Sequence, residues 1–351
     1  MTSRQSDPAG RVSGVTTTPV PDTGHRSRFL PGFFALGAIW GSSFLFIKVG
    51  IRELHPLYVT LGRVALAAVT LLLVLVLVRD RLPRDPRLWG HLAVLGLVGI
   101  AVPFTLFGFG EQRIPSLLAG IWNATTPLVA LPLAALVFRT ERLTLRRVAG
   151  IGLGFAGVLV VLGVWQGVGG AALTGQLMCF GAACCYGIAI PYQKRFVAGH
   201  PGSTLALTTA QLVAAGALLA VIAPLAAGPP PPVTQLSAEV LGSVAALGVL
   251  GTGFAFVLHL RNNRLVGASV ASMVTYLIPV FAVAAGVLVL GETLAWFQPV
   301  GALVVLAGVA TAQGVRWRRA GSPARTAASL PGAAPPPVMA GPDIAVAPES
   351  R

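Results

Sequence analysis

Apolar residues run almost unbroken from about residue 30 to residue 315, in ten blocks parted by short polar or Gly/Pro-rich joints. The blocks fall at about 30–51, 57–78, 88–109, 116–138, 146–164, 171–192, 203–227, 237–260, 267–290 and 298–315. Each holds about 18–25 residues, which at 1.5 Å per residue matches the roughly 30 Å of a bilayer's hydrocarbon core. Backbone N–H and C=O groups in lipid must be satisfied within the segment, so each block is expected to be a helix. The joints include "RDRLPRDPR", "EQRIP", "RTERLTLRR", "WQGVGG", "GPPPPVTQLS", "RLVG" and "GETLAWFQ". The expected fold class is an all-α polytopic membrane protein with ten transmembrane helices. Residues 1–28 and 320–351 lack apolar periodicity and are expected to be disordered cytoplasmic tails.

The ten segments divide into two sets of five. "WGSSFLFIKVG" (Trp40–Gly50) resembles "YGIAIPYQKRF" (Tyr186–Phe196), with lysine seven residues after the glycine in both. His55–Pro56 then matches His200–Pro201. Further on, Ala119 to Pro127 and Ala271 to Pro279 are both eight apart, and Glu141 to Gly150 and Glu292 to Gly301 both nine. Proline to glutamate differs by one, fourteen against thirteen. Five spans is an odd number, so the second copy enters the membrane from the opposite side. The two copies, expected at 29–165 and 170–317, are therefore inverted five-helix repeats, an arrangement that places a cavity near the midplane and suits alternating access.

Composition agrees with the pattern. The chain has 351 residues, 55% hydrophobic and 10% charged, with mean hydropathy +0.79. A soluble chain carries about 25% charge. The net charge of +14 is not a nucleic-acid footprint, because the basic residues fall between spans and form no stripe. With the N-terminus in the cytoplasm, 21 of the 25 Lys and Arg lie on cytoplasmic loops and tails, only Arg52 and Arg113 outside, and Lys48 and Arg63 within spans. Both termini are thus expected to be cytoplasmic in a multi-pass protein of the cytoplasmic membrane. Cys179, Cys184 and Cys185 share one span without an acid or histidine, so packing is expected rather than a disulfide or metal. The first apolar run reads as an uncleaved span, not a signal peptide.

The residues just quoted resemble the EamA type of the drug/metabolite transporter superfamily. The carriers are "WGSSFLFIK", the proline-centred fourth and ninth segments, "GETL" (Gly291–Leu294) and the glycine-rich fifth and tenth. The first repeat departs from the pattern, with "RTERL" where Gly-Glu is expected. The resemblance implies a secondary transporter, often an exporter of amino acids, metabolites or amphipathic toxic compounds. It implies a central cavity lined by helices 1, 3, 4, 6, 8 and 9, a small-molecule substrate, and no cofactor, nucleic acid or ATP-binding domain. It leaves proton coupling, exchange and a homodimer open. A lipid-linked-sugar or nucleotide-sugar carrier of the same superfamily is the alternative. A membrane-embedded enzyme is disfavoured, because no span holds an aspartate and there is no HExxH.

Several residues are candidates for substrate contact. Arg63, seven residues into the second span, is an intramembrane charge costing about 2.5–3.5 kcal/mol on insertion scales. It reads as a contact for an anionic group, a partner for Glu111, or a snorkelling side chain. Glu111 ends the third span and reads as a coupling carboxylate or an interfacial cap. Asn123 and Thr126 share a face of the fourth span; Ser272, Thr275 and Tyr276 share one in the ninth, and Asn123 and Thr275 are equivalent in the repeats. Pro127 and Pro279 are helix-shaping: each frees a carbonyl four residues earlier, at Asn123 and Thr275, for a neighbouring hydroxyl or for substrate. Trp40 and Ser43 face one side of the first span. Lys48 and Lys194 are expected to snorkel as anchors. His259 lies near a span end, and Glu141 and Glu292 are expected to cap the helices that follow them.

Overall fold

A computed structural model describes residues 23–166 and 170–313; the expected tail 320–351 and residues 1–22 of the expected tail 1–28 lie outside them. Among the described residues there are helices and no strands. We number the spans α1 (Thr23–Gly50), α2 (Pro56–Leu77), α3 (Pro86–Glu111), α4 (Ser116–Leu136) and α5 (Leu145–Leu162). The second set is α6 (Gly170–Phe196), α7 (Thr204–Ala227), α8 (Ala238–Val266), α9 (Ser272–Leu290) and α10 (Phe297–Gln313). Nine are long and apolar enough to cross a membrane, and α10 is a shorter apolar helix of 17 residues. Helix α1 begins at Thr23, inside the stretch read as tail, because helical hydrogen bonding propagates beyond the apolar block once nucleated.

The starts of the spans follow ordinary capping chemistry. Asp85, Thr144, Ser203 and Ser237 accept from the first-turn N–H groups of α3, α5, α7 and α8. His55 does the same for α2, with Pro56 in the first turn. The matching His200–Pro201 does not cap α7; Ser203 takes that place, its hydroxyl accepting from the Ala206 N–H at 3.0 Å. Leucine and valine side chains such as Leu77, Leu225 and Leu288 point outward and are 80%, 81% and 83% exposed. In a bilayer they meet acyl chains.

Lipid offers no hydrophobic force between helices, so small residues that let backbones approach decide which helices pair. The pairs cross the two halves and repeat each other. A Cβ on Gly41 of α1 would lie 2.5 Å from the Phe281 Cβ and 3.0 Å from the Ala282 N of α9. At Gly187 of α6 it would lie 2.8 Å from the Val129 Cβ and 3.1 Å from the Ala130 N of α4. Gly96 of α3 and Gly248 of α8 abut the carbonyls of Gln211 and Arg63, both at 2.9 Å. Helices α5 and α10 meet through Gly150, Gly157, Gly301 and Gly308, each against the other helix's backbone. Among the described residues the fold is all-helical, with ten apolar helices, and the glycines of α5 and α10 are used within the chain.

Departures from regular helix repeat as well. Helix α3 has a π-helical stretch at Leu97–Ala101, and α8 one at Ala246–Phe254. Helix α4 breaks at Ala124 and Thr125 between Ser116–Asn123 and Thr126–Leu136. Helix α9 starts as a 3-10 turn over Ser272–Tyr276 and becomes α-helical at Ile278–Leu290. Each break lies just before Pro127 or Pro279, whose missing N–H and ring disfavour a continuous α-helix there.

The one-residue offset between the repeats is explained at the ends of α4 and α9. Gly291 closes α9 in the left-handed conformation, φ 64°. Arg139 holds φ 53° beyond α4. Each follows its proline by twelve residues, so Arg139 and not Thr140 matches Gly291, and Thr140 is the insertion. A left-handed L-residue costs roughly 1–2 kcal/mol, against about 0.5–1 kcal/mol for glycine's extra unfolded-state freedom. Arg139→Gly is therefore expected to raise stability by about 0.5–1 kcal/mol, read as a higher thermal midpoint of the purified chain. A lowered midpoint would contradict the assignment.

Candidate functional site

The middle of the bundle is filled by aromatic side chains. Phe44 meets Phe107 at 5.3 Å between centroids, Phe107 meets Tyr186 at 6.2 Å, and Trp122 meets Phe180 at 5.7 Å. Trp122 is wholly enclosed, and its indole N–H has no acceptor among the described residues.

Arg63 lies beside this layer. Its side chain is buried, with the guanidinium 3.7 Å above the centre of the Phe104 ring. Its Nε donates to the Thr252 hydroxyl at 2.8 Å, and that hydroxyl donates to the Leu247 carbonyl at 2.9 Å within the π-helical stretch of α8. The expected alternative of an ion pair with Glu111 is not formed: among the described residues no carboxylate lies within 4.0 Å of the guanidinium. Tyr186 and, beyond ion-pair distance, Glu111 are both close enough to act on it electrostatically. The position is polar in both repeats. Gln211 occupies the matching place on α7, next to Gly96 as Arg63 is next to Gly248, and its amide donates to the Leu95 carbonyl at 3.2 Å. The scaffold thus accepts a neutral amide here, and the charge belongs to one copy alone.

Asn123 and Thr275 lie at the two proline breaks, with different surroundings. Asn123 ends the first piece of α4, and the carbonyl freed by Pro127 accepts from the Thr126 hydroxyl at 2.8 Å. Thr126 is buried. Thr275 and Tyr276 are half-buried in the 3-10 turn, and Ser272 at its start is exposed. The Tyr276 hydroxyl donates to Gln313 Oε1 at 2.9 Å at the end of α10. Ser43 is buried, and its hydroxyl donates to the Ile39 carbonyl of its own helix at 2.9 Å. Trp40 packs on Phe256 and on His259 of α8 at 6.5 and 5.3 Å. The structure thus brings Arg63, Thr252, Phe104 and Tyr186 together, while the Tyr276 hydroxyl is engaged at the end of α10.

One end of the bundle holds a cavity of about 470 Å³ lined by Lys48, Arg52, Glu111, Gln112, Leu290 and Glu292. Glu111 has no exposed surface, and neither carboxylate oxygen has a hydrogen-bond partner among the described residues. Lys48 is not a snorkelling anchor here. Its ammonium donates to the Glu111 carbonyl and, at 2.9 Å, to the Ile114 carbonyl, neutralising the C-terminal end of α3. Glu292 does not cap the helix that follows it. Its Oε1 accepts from the Ser116 N–H at 2.8 Å, and its Oε2 from the Ser116 hydroxyl at 2.9 Å and the Leu117 N–H at 3.1 Å. It therefore caps α4 of the other repeat. Gly286 leaves the room: a Cβ there would lie 2.5 Å from Glu292 Oε2.

Glu141, at the opposite end, also departs from expectation. The inserted Thr140 shifts it, and it binds Lys194 at 2.5 Å and Arg147 at 3.2 Å; Thr144 caps α5 instead. The Lys194 hydrogen bond first, with Arg147, holds its carboxyl below the usual carboxylate range. A depressed value means this contact is at full strength above the ordinary 4.5 and fades as pH falls through the lowered value. The three cysteines are free thiols, Cys179 buried. Phe104, Tyr186, Thr252 and Ser116 were missed in the sequence. Thr252, a lone hydroxyl in the run "GVLGTGF", carried the one local signal.

Comparison with known proteins agrees with this architecture. The model of the EamA-like transporter family matches residues 30–163 and 173–312. An uncharacterized transporter of Archaeoglobus fulgidus is 28% identical over 276 residues, covering 77% of this chain and 93% of that protein. The uncharacterized inner membrane transporter YedA of Escherichia coli (strain K12) is 28% identical over 268 residues, covering 74% of this chain and 82% of that one. A probable amino-acid metabolite efflux pump of Salmonella typhimurium is 26% identical over 288 residues, with 79% and 93% covered. A solved crystal structure superposes with a TM-score of 0.57 at 22% identity, covering 82% of this chain and 96% of that one, a likeness of fold.

Proposed function

The chain belongs to the EamA-like transporter family, and we propose that it exports a small amphipathic metabolite or amino acid carrying an anionic group, by alternating access and without direct use of ATP. The observation that carries this reading is Arg63. It is a buried cation with no carboxylate within 4.0 Å among the described residues, on a scaffold whose matching position holds neutral Gln211. A charge that packing does not require is available for a ligand. Phe104 and Tyr186 supply apolar and aromatic surface for the rest of the solute.

Discontinuous helices α4 and α9 support the same reading. Broken spans at matching places in two inverted repeats present polar backbone and side chains at the centre of carriers and let one half rock against the other. Asn123, Thr126 and Thr275 are the polar groups at those breaks, and Glu111 and Lys48 stand at one mouth. The Lys/Arg asymmetry supports a cytoplasmic membrane with both termini in the cytoplasm. The relative named for amino-acid metabolite efflux supports the substrate class.

Counterflow in proteoliposomes, with a panel of amino acids and organic acids, tests the reading. The wild-type chain is expected to move at least one anionic solute without ATP. Asn123→Ala with Thr275→Ala is expected to slow it about tenfold, since each lost hydrogen bond is worth about 0.5–1.5 kcal/mol. Flux strictly requiring ATP overturns the class, and unchanged flux in the double variant removes these two residues from the path.

A further inference from the structure

A second cavity of about 580 Å³ opens at the Lys194 end of the bundle and has no part in the transport path proposed above. Its lining includes Arg139, Thr140, Glu141, Arg142, Arg146 and Arg147. Glu141 is its carboxylate and is already held by Lys194 and Arg147. Arg146 donates through Nε to the Thr311 carbonyl at 3.0 Å. Arg139 and Arg142 have side chains with no hydrogen-bond or ion-pair partner among the described residues. The cleft therefore carries uncompensated positive charge.

The arginines of a cytoplasmic loop serve orientation wherever they stand along it. That role does not ask for convergence on one cleft. Arg139 is held at φ 53°, where the other repeat has Gly291. Arg79, in the joint between α2 and α3, holds the same conformation at φ 56°, so it is the convergence on one cleft that sets Arg139 apart. The corresponding loop of the other repeat, "GETLAWFQ", has no arginine. Next to the lining residues in the chain, the apolar Leu136, Val137 and Leu145 are 68%, 63% and 87% exposed. Guanidinium groups beside exposed apolar side chains match one ligand chemistry, a phosphate ester joined to acyl chains.

We propose that this cleft binds the phosphate of an anionic phospholipid headgroup, contacted by Arg139 and Arg142, with the acyl chains along Leu136, Val137 and Leu145. Fork-shaped guanidinium groups take two phosphate oxygens at once. Thr140 and Thr144 at the cleft add hydroxyls, and the salt bridges keep Glu141 from repelling the ligand.

The test titrates the purified full chain, in neutral detergent, with dioctanoyl phosphatidylglycerol, dioctanoyl phosphatidylcholine or inorganic phosphate, and counts bound ligand by native mass spectrometry. Phosphatidylglycerol is expected to bind and phosphatidylcholine to bind far more weakly. Arg139→Gly with Arg142→Gln is expected to weaken phosphatidylglycerol roughly 30-fold, about 2 kcal/mol at 1.4 kcal/mol per tenfold. Arg142→Gln alone, which disturbs no backbone geometry, is expected to show about half of that effect on a logarithmic scale. Arg81→Gln with Arg84→Gln removes the same charge from another exposed loop and is expected to leave binding unchanged. Equal weakening by that control overturns the proposal in favour of diffuse charge. Unchanged binding in both Arg142 variants overturns it outright, and displacement of the lipid by inorganic phosphate at similar concentration overturns the lipid assignment. None of these readouts depends on transport.

Discussion

Arg63→Met is expected to abolish transport of anionic solutes while making the folded chain more stable. The side chain is 7% exposed, and its charge has no carboxylate within 4.0 Å among the described residues. Replacing a buried charge with an apolar group of similar volume is often neutral or stabilising by about 1–4 kcal/mol. The lost Thr252 hydrogen bond and Phe104 stacking offset part of that, so a gain of about 1 kcal/mol is expected. Truncating one partner of a buried charge contact costs about 2–5 kcal/mol, so flux should fall by roughly 100-fold or more. Arg63→Lys is expected to recover little, because an ammonium neither stacks flat on Phe104 nor presents a fork of donors. Thermal unfolding and proteoliposome counterflow check the two halves. A variant that unfolds more easily and transports normally would make Arg63 a structural residue.

The seam between α5 and α10 carries the other large effect. A Cβ on Gly157 would lie 2.6 Å from the Val305 N and 2.9 Å from the Gly301 O. On Gly301 it would lie 2.6 Å from the Val161 N and 2.9 Å from the Gly157 O. These neighbours are backbone atoms and cannot rotate away. Gly157→Ala must separate the helices, at about 2–3 kcal/mol by analogy with overpacked cores. Gly152, on the same helix, has nothing within 4 Å of an added Cβ. Gly152→Ala is expected to stabilise by about 0.5–1 kcal/mol through helix propensity. Opposite signs from one methyl group, read by thermal unfolding in detergent, would locate the seam. A loss in both variants would mean the helix tolerates no change for another reason.

Much of the architecture was legible because its signals are local. Span length, Lys/Arg placement and proline position can be read without knowing which helices touch. The repeat was legible for the same reason: Pro127 and Pro279, or Gly157 and Gly308, keep their spacing within each copy. The roles of the two glutamates were not. Glu292 caps Ser116, 176 residues away, and Arg63 finds Thr252 at a separation of 189. Nothing near either residue names its partner. The register at Arg139 was also hidden, since spacing alone allows the extra residue anywhere between Pro127 and Glu141, and the left-handed φ decides it.

The sequence by itself determined that this chain is a polytopic membrane protein of about ten helices, and it set the expectation that the second half inverts the first. Those properties follow from hydrophobicity summed over a span and from an odd number of spans. Only the tertiary structure decided which faces turn inward, that Lys48 closes the end of α3, and that Arg63 stands buried with no carboxylate within 4.0 Å among the described residues. The physical reason is that a span apolar on nearly every side carries no stripe to tell lipid from protein. In lipid the choice is made by backbone approach at glycines such as Gly41 and Gly187, and that contact exists only once two distant segments have met.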